Sequence, residues 1–215
     1  TIVFFTGDNG GQDRFRSGKH PRGFFGPNVN PRTGVEFRGG KGNLYEGGLR
    51  IPYLVRWPGK IKAGQVSDLI FYQPDVMPTL AALTGAKAPR DIDGLSFLPT
   101  LVGAGEQEKH KMLYWEFGRQ TAVRKGRWKA IQTNKNRPWA LYDLDKDISE
   151  TTDQSVKHPE LLAEMKRFAA ASHEPVRAGI FLDAKRKRHE KDRLAKWGTS
   201  KPQPRAKRPR KQPGK

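Results

Sequence analysis

The sequence predicts an α/β fold followed by a small antiparallel sheet with one covering helix. The first observation is the apolar run IVFF at residues 2–5, which ends in the glycine-rich turn TGDNGG at residues 6–11. The second is helical spacing of apolar residues after Asp75. Farther along, the pattern changes from alternating strands and helices to short strands. We therefore expect three regions: part of an α/β sheet domain over residues 1–104, a small α+β subdomain over 105–182, and a basic tail over 183–215.

The first region contains two predicted strands and one predicted helix. Residues 2–6 predict a buried strand, and residues 50–57, RIPYLVRW, predict a second strand that ends at a Pro-Gly turn. Apolar residues recur at helical spacing between residues 76 and 83, and Gly85 ends that helix. Asp75 precedes the helix, so we expect it to be a cap and not a ligand. Residues 86–100 are expected to be a loop.

The second region predicts four short strands and a helix. The strands are expected at residues 112–117, 121–125, 127–132 and 139–144, with the middle two forming a hairpin around Gly126. A helix follows, with Pro159 in its first turn and apolar residues on one face. Its large aromatic residues are expected to be core and not a stacking platform. They are Trp115, Trp128, Trp139 and Tyr142.

Two side chains with oxygen ligands, Asp8 and Asn9, lie in the turn after the first predicted strand. In open α/β sheets, ligands bind at the carboxyl ends of the strands. A carboxylate beside an amide carbonyl suits a hard divalent cation such as calcium or magnesium. The tripeptide Asp-Asn-Gly is a weak signal by itself, because most such tripeptides are turns.

A longer and more specific signal follows. Residues 39–52 read GGKGNLYEGGLRIP, which we call the glycine-rich block. Together with DNG at residues 8–10 and WPG at residues 57–59, the block closely resembles the C-terminal half of sulfatases of the arylsulfatase type. The resemblance extends over residues 1–182. It implies the C-terminal part of an alkaline-phosphatase-like sheet domain, followed by a four-stranded antiparallel sheet and a helix.

The resemblance also implies roles for three residues. Asp8 and Asn9 match the second pair of calcium ligands in the family, and Lys41 matches a lysine that contacts the sulfate group. Hydrolysis of a sulfate ester concentrates negative charge on oxygen atoms, which a metal ion and an ammonium group stabilise. The family further implies Ca²⁺ as cofactor, a sulfated small molecule or glycan as substrate, and a periplasmic or extracellular location.

The nucleophile of the family does not occur in this chain. Sulfatases use a formylglycine made from the first residue of Cys/Ser-x-Pro-x-Arg, and the chain contains no cysteine. The nearest serine version, at residues 200–205, has its arginine one position late. The first pair of aspartate ligands is also missing. We therefore expect a fragment of a sulfatase that is inactive by itself.

Charge is concentrated in the predicted tail. The chain has a net charge of +19, and residues 183–215 contain 14 Lys and Arg against 3 Asp and Glu. Few apolar residues accompany them, so we expect disorder. A solvated extension is the favoured interpretation, and contact with a polyanion such as nucleic acid, a sulfated glycan or an anionic membrane is the alternative. No apolar run is long enough to predict a membrane span.

Three functional classes remain open from the sequence. The first is a sulfatase, and the second is a phosphate or phosphonate ester hydrolase of the same superfamily. The Asp-Asn pair with a later lysine favours sulfate, because phosphatase relatives typically place more histidine and aspartate around two metals. The third is a non-catalytic module that binds polyanions through the tail.

Several other polar residues have simpler expected roles. Glu46 and Arg50 are expected to form an ion pair that braces the glycine-rich block. Asp143 and Asp145 lack the spacing of an EF-hand loop and predict a turn. In the long loop at residues 10–38, the basic side chains and His20 could contact a substrate, but a solvated loop is favoured. The remaining histidines are expected at the surface: His110, His158, His173 and His189.

Overall fold

A computed structural model describes residues 1–12 and 28–174, and the structural statements below concern those residues. Residues from Thr1 to His173 belong to one compact unit. The predicted tail and the basic residues of the long loop between positions 13 and 27 lie outside the described residues. The proposed boundary after residue 104 stays a prediction.

The first half of the chain is built from two strands and short helices. Strand β1 (Val3–Thr6) pairs antiparallel with β2 (Tyr53–Arg56), and Val3 lies opposite Arg56. Between them in sequence is the single-turn helix α1 (Glu46–Leu49). A 3-10 turn at Gln73–Asp75 leads into α2 (Val76–Thr84). The residue after α2 is Gly85, whose φ of 71° ends the helix as predicted.

The expectation that residues 2–6 form a buried strand is wrong as regards burial. The strand forms, but Val3 is 50% exposed and Phe5 is 67% exposed. The reason is that β1 and β2 form a sheet of only two strands within the described residues. On the opposite face of β1, the side chain of Phe4 packs against β2, with its ring centroid 6.1 Å from that of Tyr53.

A short helix occurs where the sequence predicts a loop. Helix α3 (Leu98–Val102) has a proline in its first turn and is followed by Gly103, whose φ is 66°. Proline at the start and a left-handed glycine at the end are both helix-boundary signals. The five-residue helix is too short for its apolar spacing to be visible in the sequence.

The second half forms the predicted four-stranded sheet. Its strands are β3 (Leu113–Phe117), β4 (Gln120–Lys125), β5 (Trp128–Gln132) and β6 (Ala140–Asp143), and neighbours in this order pair antiparallel. Helix α4 (Pro159–Ser172) follows. The turn after β6 closes with backbone hydrogen bonds to the carbonyl oxygen of Asp143, as predicted for this segment. The α/β fold class with a small antiparallel sheet and a helix is therefore confirmed.

The two faces of the sheet bury different partners. On one face, Met165 and Ala169 of α4 pack against Val123, Ala130 and Leu141. The opposite face contacts the glycine-rich block: there, Leu44 packs in a cluster with Ala122, Ile131, Tyr142 and Leu144. The aromatic residues predicted to be core are confirmed in that role, since Tyr142 is buried and the three tryptophans pack on these clusters.

None of the helices in the described residues combines the length and hydropathy needed to cross a bilayer.

Candidate functional site

The candidate site begins at the bend directly after β1. Asp8 is exposed and Asn9 is half-buried in this bend, and Lys41 is exposed in a turn of the glycine-rich block. Among the described residues, the side chains of these three make neither a hydrogen bond nor an ion pair. The three functional groups are thus available to a ligand.

Backbone hydrogen bonds hold the bend and the block together. The N–H of Gly10 donates to the carbonyl oxygen of Gly48 at 2.9 Å. The N–H of Lys41 donates to the carbonyl oxygen of Gly11, also at 2.9 Å. Lys41 is therefore bonded through its backbone to a residue two positions after Asn9. The structure brings together the two segments that contain the predicted site residues.

Asn28, in the long loop at residues 10–38, also contacts this junction. Its side-chain amide donates to the carbonyl oxygen of Gly11 at 2.9 Å. The same nitrogen lies 3.3 Å from the carbonyl oxygen of Gly39 and 3.2 Å from that of Gly47. One amide group thus contacts the bend and two positions of the block, Gly39 and Gly47. The sequence analysis did not single out Asn28.

The close approach of the backbones requires glycine. A Cβ atom at Gly10 would lie 1.9 Å from the carbonyl oxygen of Gly47. A Cβ atom at Gly47 would lie 2.0 Å from the carbonyl oxygen of Gly39. Both distances are far below contact, so any side chain would push the segments apart. This packing therefore explains why glycine occupies positions 10 and 47.

Beneath the block lies a buried charge cluster that the sequence analysis missed. Glu46 forms the predicted ion pair with Arg50, and its second carboxylate oxygen lies 2.8 Å from Nζ of Lys129. Lys129 also pairs with Glu150 at 2.9 Å. We call Glu46, Lys129 and Glu150 the charge triad. All three are at most 2% exposed.

A sequence signal for the buried lysine exists in hindsight. In strand β5, Lys129 and Ile131 are two residues apart, so both side chains point to the same face of the sheet. Ile131 is in the core that faces the glycine-rich block. A lysine on that face needs buried carboxylate partners. The alternation therefore indicated its burial, but only the tertiary structure identifies Glu46 and Glu150 as partners.

The two carboxylates of the triad differ in acidity. Burial alone would raise the pKa of Glu46, but the charges of Lys129, Arg50 and Arg124 outweigh it and lower the pKa to about 2. Burial raises the pKa of Glu150, and the nearby Lys129 offsets this only in part. Glu46 is consequently ionised across the physiological range.

Asp75 caps the 3-10 turn that leads into α2, and not α2 itself. Its side chain makes no capping hydrogen bond to α2 and instead accepts from the N–H of Tyr72 at 3.0 Å and of Leu95 at 2.7 Å. Nε2 of His110 lies 2.8 Å from the same carboxylate. The prediction that His110 is a surface residue is wrong, because its side chain is only 11% exposed in this pair. His158 and His173 are exposed, as predicted.

The residues at the bend fit a hard cation in type but are few in number. Asp8 and Asn9 can offer oxygen atoms, which calcium prefers, but calcium takes about six to eight ligands. No group of three or more His, Cys, Asp or Glu side chains in the described part of the chain could hold a metal ion. Asp8 and Asn9 would therefore be only part of a ligand set.

Comparison with known proteins agrees with this architecture. The family model described as "N-sulphoglucosamine sulphohydrolase, C-terminal" matches residues 40–170. An N-acetylgalactosamine-6-O-sulfatase of Bacteroides thetaiotaomicron is 33% identical over an alignment of 184 positions, and the alignment covers 78% of this chain and 35% of that relative. The fold, with the glycine-rich block bonded to the bend after β1, is that of the alkaline-phosphatase-like class of proteins. Within that class, the chain belongs to the sulfatase family.

Solved structures show the same relationship. The crystal structure of Ps i-CgsB in complex with k-i-k-neocarrahexaose superposes with a TM-score of 0.60 and 29% identity, covering 78% of this chain and 35% of that chain. A phosphonate monoester hydrolase of Agrobacterium radiobacter shares the fold, with a TM-score of 0.51 and 24% identity, covering 60% of this chain and 30% of the other. The chain thus spans about a third of the length of these relatives.

Proposed function

We propose that the chain contributes part of the active site of a sulfuric ester hydrolase: two calcium ligands, Asp8 and Asn9, and a sulfate-binding lysine, Lys41. One observation supports this most directly. The Lys41 N–H donates to the carbonyl oxygen of Gly11, and this hydrogen bond places the block next to the bend that contains the two oxygen ligands. The three functional groups can then act on one anion.

The roles of these residues follow from their chemistry. The Lys41 ammonium is a compact positive charge that binds sulfate oxygens and stabilises the charge that develops on them during S–O cleavage. Asp8 and Asn9 hold Ca²⁺ through a carboxylate and an amide oxygen. When bound, the calcium ion supplies a second positive charge for the sulfate group. The flanking glycines leave room for a bulky tetrahedral anion beside the backbone.

The nucleophile of the reaction is expected outside these 215 residues. Since the chain contains no cysteine and no Ser-x-Pro-x-Arg motif, we propose that it does not hydrolyse sulfate esters by itself. In this proposal, residues 1–104 belong to the catalytic α/β domain and residues 105–182 form the C-terminal subdomain. The basic residues from 183 onward lie outside the described residues, and polyanion contact stays the alternative role proposed for them.

A sulfated sugar is the proposed substrate class. Two relatives support it, since one is an N-acetylgalactosamine-6-O-sulfatase and the other is solved with a neocarrahexaose. The second candidate function is hydrolysis of phosphate or phosphonate esters, which the fold shared with a phosphonate monoester hydrolase favours. A non-catalytic module that binds polyanions through its tail is the third, and heparin retention of a tail-deleted chain would count against it.

The experiment compares an aryl sulfate with an aryl phosphate. The chain is expressed alone and in frame with its upstream coding sequence, and hydrolysis of both esters is measured with calcium. We expect no turnover by the chain alone and a preference for the aryl sulfate by the longer protein. A preference for the aryl phosphate would support the second candidate, and hydrolysis by the chain alone would contradict the proposed location of the nucleophile.

A further inference from the structure

We propose that the four-stranded sheet positions Lys41 within the site. Three side chains from the second half of the chain hold the glycine-rich block: Gln120, Lys129 and Glu150. This inference rests on the proposed function, because it concerns the residues that orient the proposed sulfate-binding lysine. None of the three would touch the substrate, so they are positioning residues.

Gln120 forms hydrogen bonds with two residues that follow Lys41 in the same turn. It is the first residue of β4, and its side-chain oxygen accepts a hydrogen bond from the N–H of Leu44 at 3.2 Å. Its side-chain nitrogen donates to the carbonyl oxygen of Gly42 at 3.2 Å. Gly42 directly follows Lys41 and has a φ of 96°, which favours glycine. One side chain from the sheet therefore fixes the backbone immediately beside Lys41.

The charge triad fixes the other end of the same segment. The side chain of Lys129, in β5, lies between the carboxylates of Glu46 and Glu150. Glu150 also accepts a hydrogen bond from the backbone N–H of Glu46 at 2.6 Å. Glu46 is thus held by its side chain and by its backbone. Burying three charges costs desolvation free energy that their attraction offsets only with good geometry, so such a cluster is a poor source of stability.

The segment around Glu150 is itself held in place. Glu150 has a φ of 54°, an uncommon conformation for a residue other than glycine, which persists where neighbouring contacts enforce it. Its carbonyl oxygen accepts from Arg38 at 2.7 Å. The guanidinium of Arg38 lies 4.1 Å from the centre of the Tyr45 ring, inside the block. Arg38, which directly precedes the block, therefore links the Glu150 segment to Tyr45 of the block.

Positioning matters because nothing else in the described residues restrains the Lys41 side chain. Its location depends on where the turn places the backbone. Catalytic groups must be held within about 0.5 Å of their productive position, and a displacement of about 1 Å can lower a rate by roughly 10²-fold. The sheet contacts the block after Lys41, at Gly42, Leu44 and Glu46, and so restrains the backbone that positions the ammonium group.

The chain offers a matched control. Lys125 lies on β4 and pairs with Glu164 of α4, with both side chains 39% exposed. Like Lys129, it is a lysine of the sheet in an ion pair with a glutamate. Unlike Lys129, it lies outside the contacts with the glycine-rich block. Lys125→Met therefore removes an ion pair from the same sheet without releasing Lys41.

A double-mutant cycle tests the proposal in the full-length protein. Gln120→Ala, Lys129→Met and Lys125→Met are each made with and without Lys41→Ala, and kcat/KM is measured on an aryl sulfate. We expect Gln120→Ala and Lys129→Met to lower kcat/KM by up to roughly 10²-fold when Lys41 is present. In the Lys41→Ala background the further change should stay within about twofold. Lys125→Met should change neither.

Equal losses in both backgrounds would overturn the inference, because a purely structural role does not depend on Lys41. Amide hydrogen exchange supplies a readout besides activity: Gln120→Ala should accelerate exchange at residues 41–48, and Lys125→Met should not. If Lys129→Met fails to fold, Gln120→Ala still decides. Unchanged hydrolysis in Lys41→Ala would refute the proposed function. If Lys41→Ala lowers kcat/KM but Gln120→Ala changes neither hydrolysis nor amide exchange, the inference is refuted and the proposed function is not.

Discussion

Lys41 is the single side chain on which the proposed chemistry depends most. Replacing it with alanine removes the ammonium but leaves the backbone hydrogen bond to Gly11 in place. We expect Lys41→Ala to lower kcat on an aryl sulfate by about 10²–10³-fold, the effect of removing one charge-stabilising donor. The thermal midpoint should barely change, because the side chain is exposed. Lys60→Ala, at an exposed lysine near β2, is the control, and a similar loss there would contradict the assignment.

Glu46 gives a pH prediction at the same scale. Its pKa in the folded chain is about 2, below the ordinary value of 4.5. A lowered carboxylate pKa stabilises the fold above pH 4.5, and this contribution is lost as the pH falls toward 2. Glu150 acts in the opposite direction, because its pKa is raised. Urea unfolding between pH 6 and pH 2 measures both.

The variant Glu46→Gln separates the two carboxylates. It lacks the group with the lowered pKa, so its free energy of unfolding should decline less steeply than that of the parent below about pH 4.5. It should also be less stable at neutral pH, because Lys129 then keeps only one carboxylate partner. Parallel pH curves for the two proteins would show that Glu46 is not the group responsible.

At the scale of the secondary-structure elements, the bend after β1 packs directly against α1. Gly10→Ala would place a methyl group 1.9 Å from the carbonyl oxygen of Gly47. We expect a loss of about 1–3 kcal/mol in the free energy of unfolding, as for other overpacked sites, and a loss of hydrolysis because Lys41 is displaced. Gly7→Ala is the matched control in the same turn, where the nearest heavy atom would be 3.4 Å away. Equal stability of the two variants would refute this packing.

The elements also show what local sequence patterns can and cannot predict. The ends of strands β3 to β6 were predicted within one residue, and a helix was predicted with Pro159 near its first turn, because alternation, Gly126 and Pro159 are local signals. Burial of β1 was predicted wrongly. Among the residues that the structure describes, β1 pairs with one neighbouring strand, β2, and its other edge is unpaired. Helix α1 was missed because one turn with two glycines leaves no period to detect.

The candidate site was predictable to a similar extent. Asp8, Asn9 and Lys41 were predicted through a resemblance, and their roles stay a proposal. The Glu46–Arg50 ion pair was predicted from the four-residue spacing and is observed. Lys129 and Glu150 were not predicted as part of it. Their contacts with Glu46 join positions 83 and 104 residues apart in sequence, and such pairings depend on the folded chain.

Across the whole molecule, Asp75 and His110 join the two proposed regions. Asp75 is 1% exposed, and His110→Ala removes its side-chain partner while leaving the two backbone donors. We expect a loss of about 1.5–3 kcal/mol, the contribution of one hydrogen bond to a charged group. Thermal unfolding should stay a single transition in the parent protein, since the pair links residues on both sides of position 104.

His173→Ala is the matched control for that measurement. His173 also pairs with a carboxylate, that of Glu116, but the side chains are 45% and 31% exposed. Ion pairs at such exposure contribute about 0–1 kcal/mol. If His173→Ala and His110→Ala were equally destabilising, burial of the Asp75 pair would not be the cause of its effect.

The central claim is that Asp8, Asn9 and Lys41 act on one anion, and a crystal structure of the full-length protein with calcium and sulfate tests it most directly. The account predicts oxygen atoms of Asp8 and Asn9 within about 2.3–2.6 Å of the calcium ion. It also predicts the Lys41 ammonium within hydrogen-bonding distance of a sulfate oxygen. A calcium ion bound without Asp8 and Asn9, or a sulfate bound away from Lys41, would contradict the account.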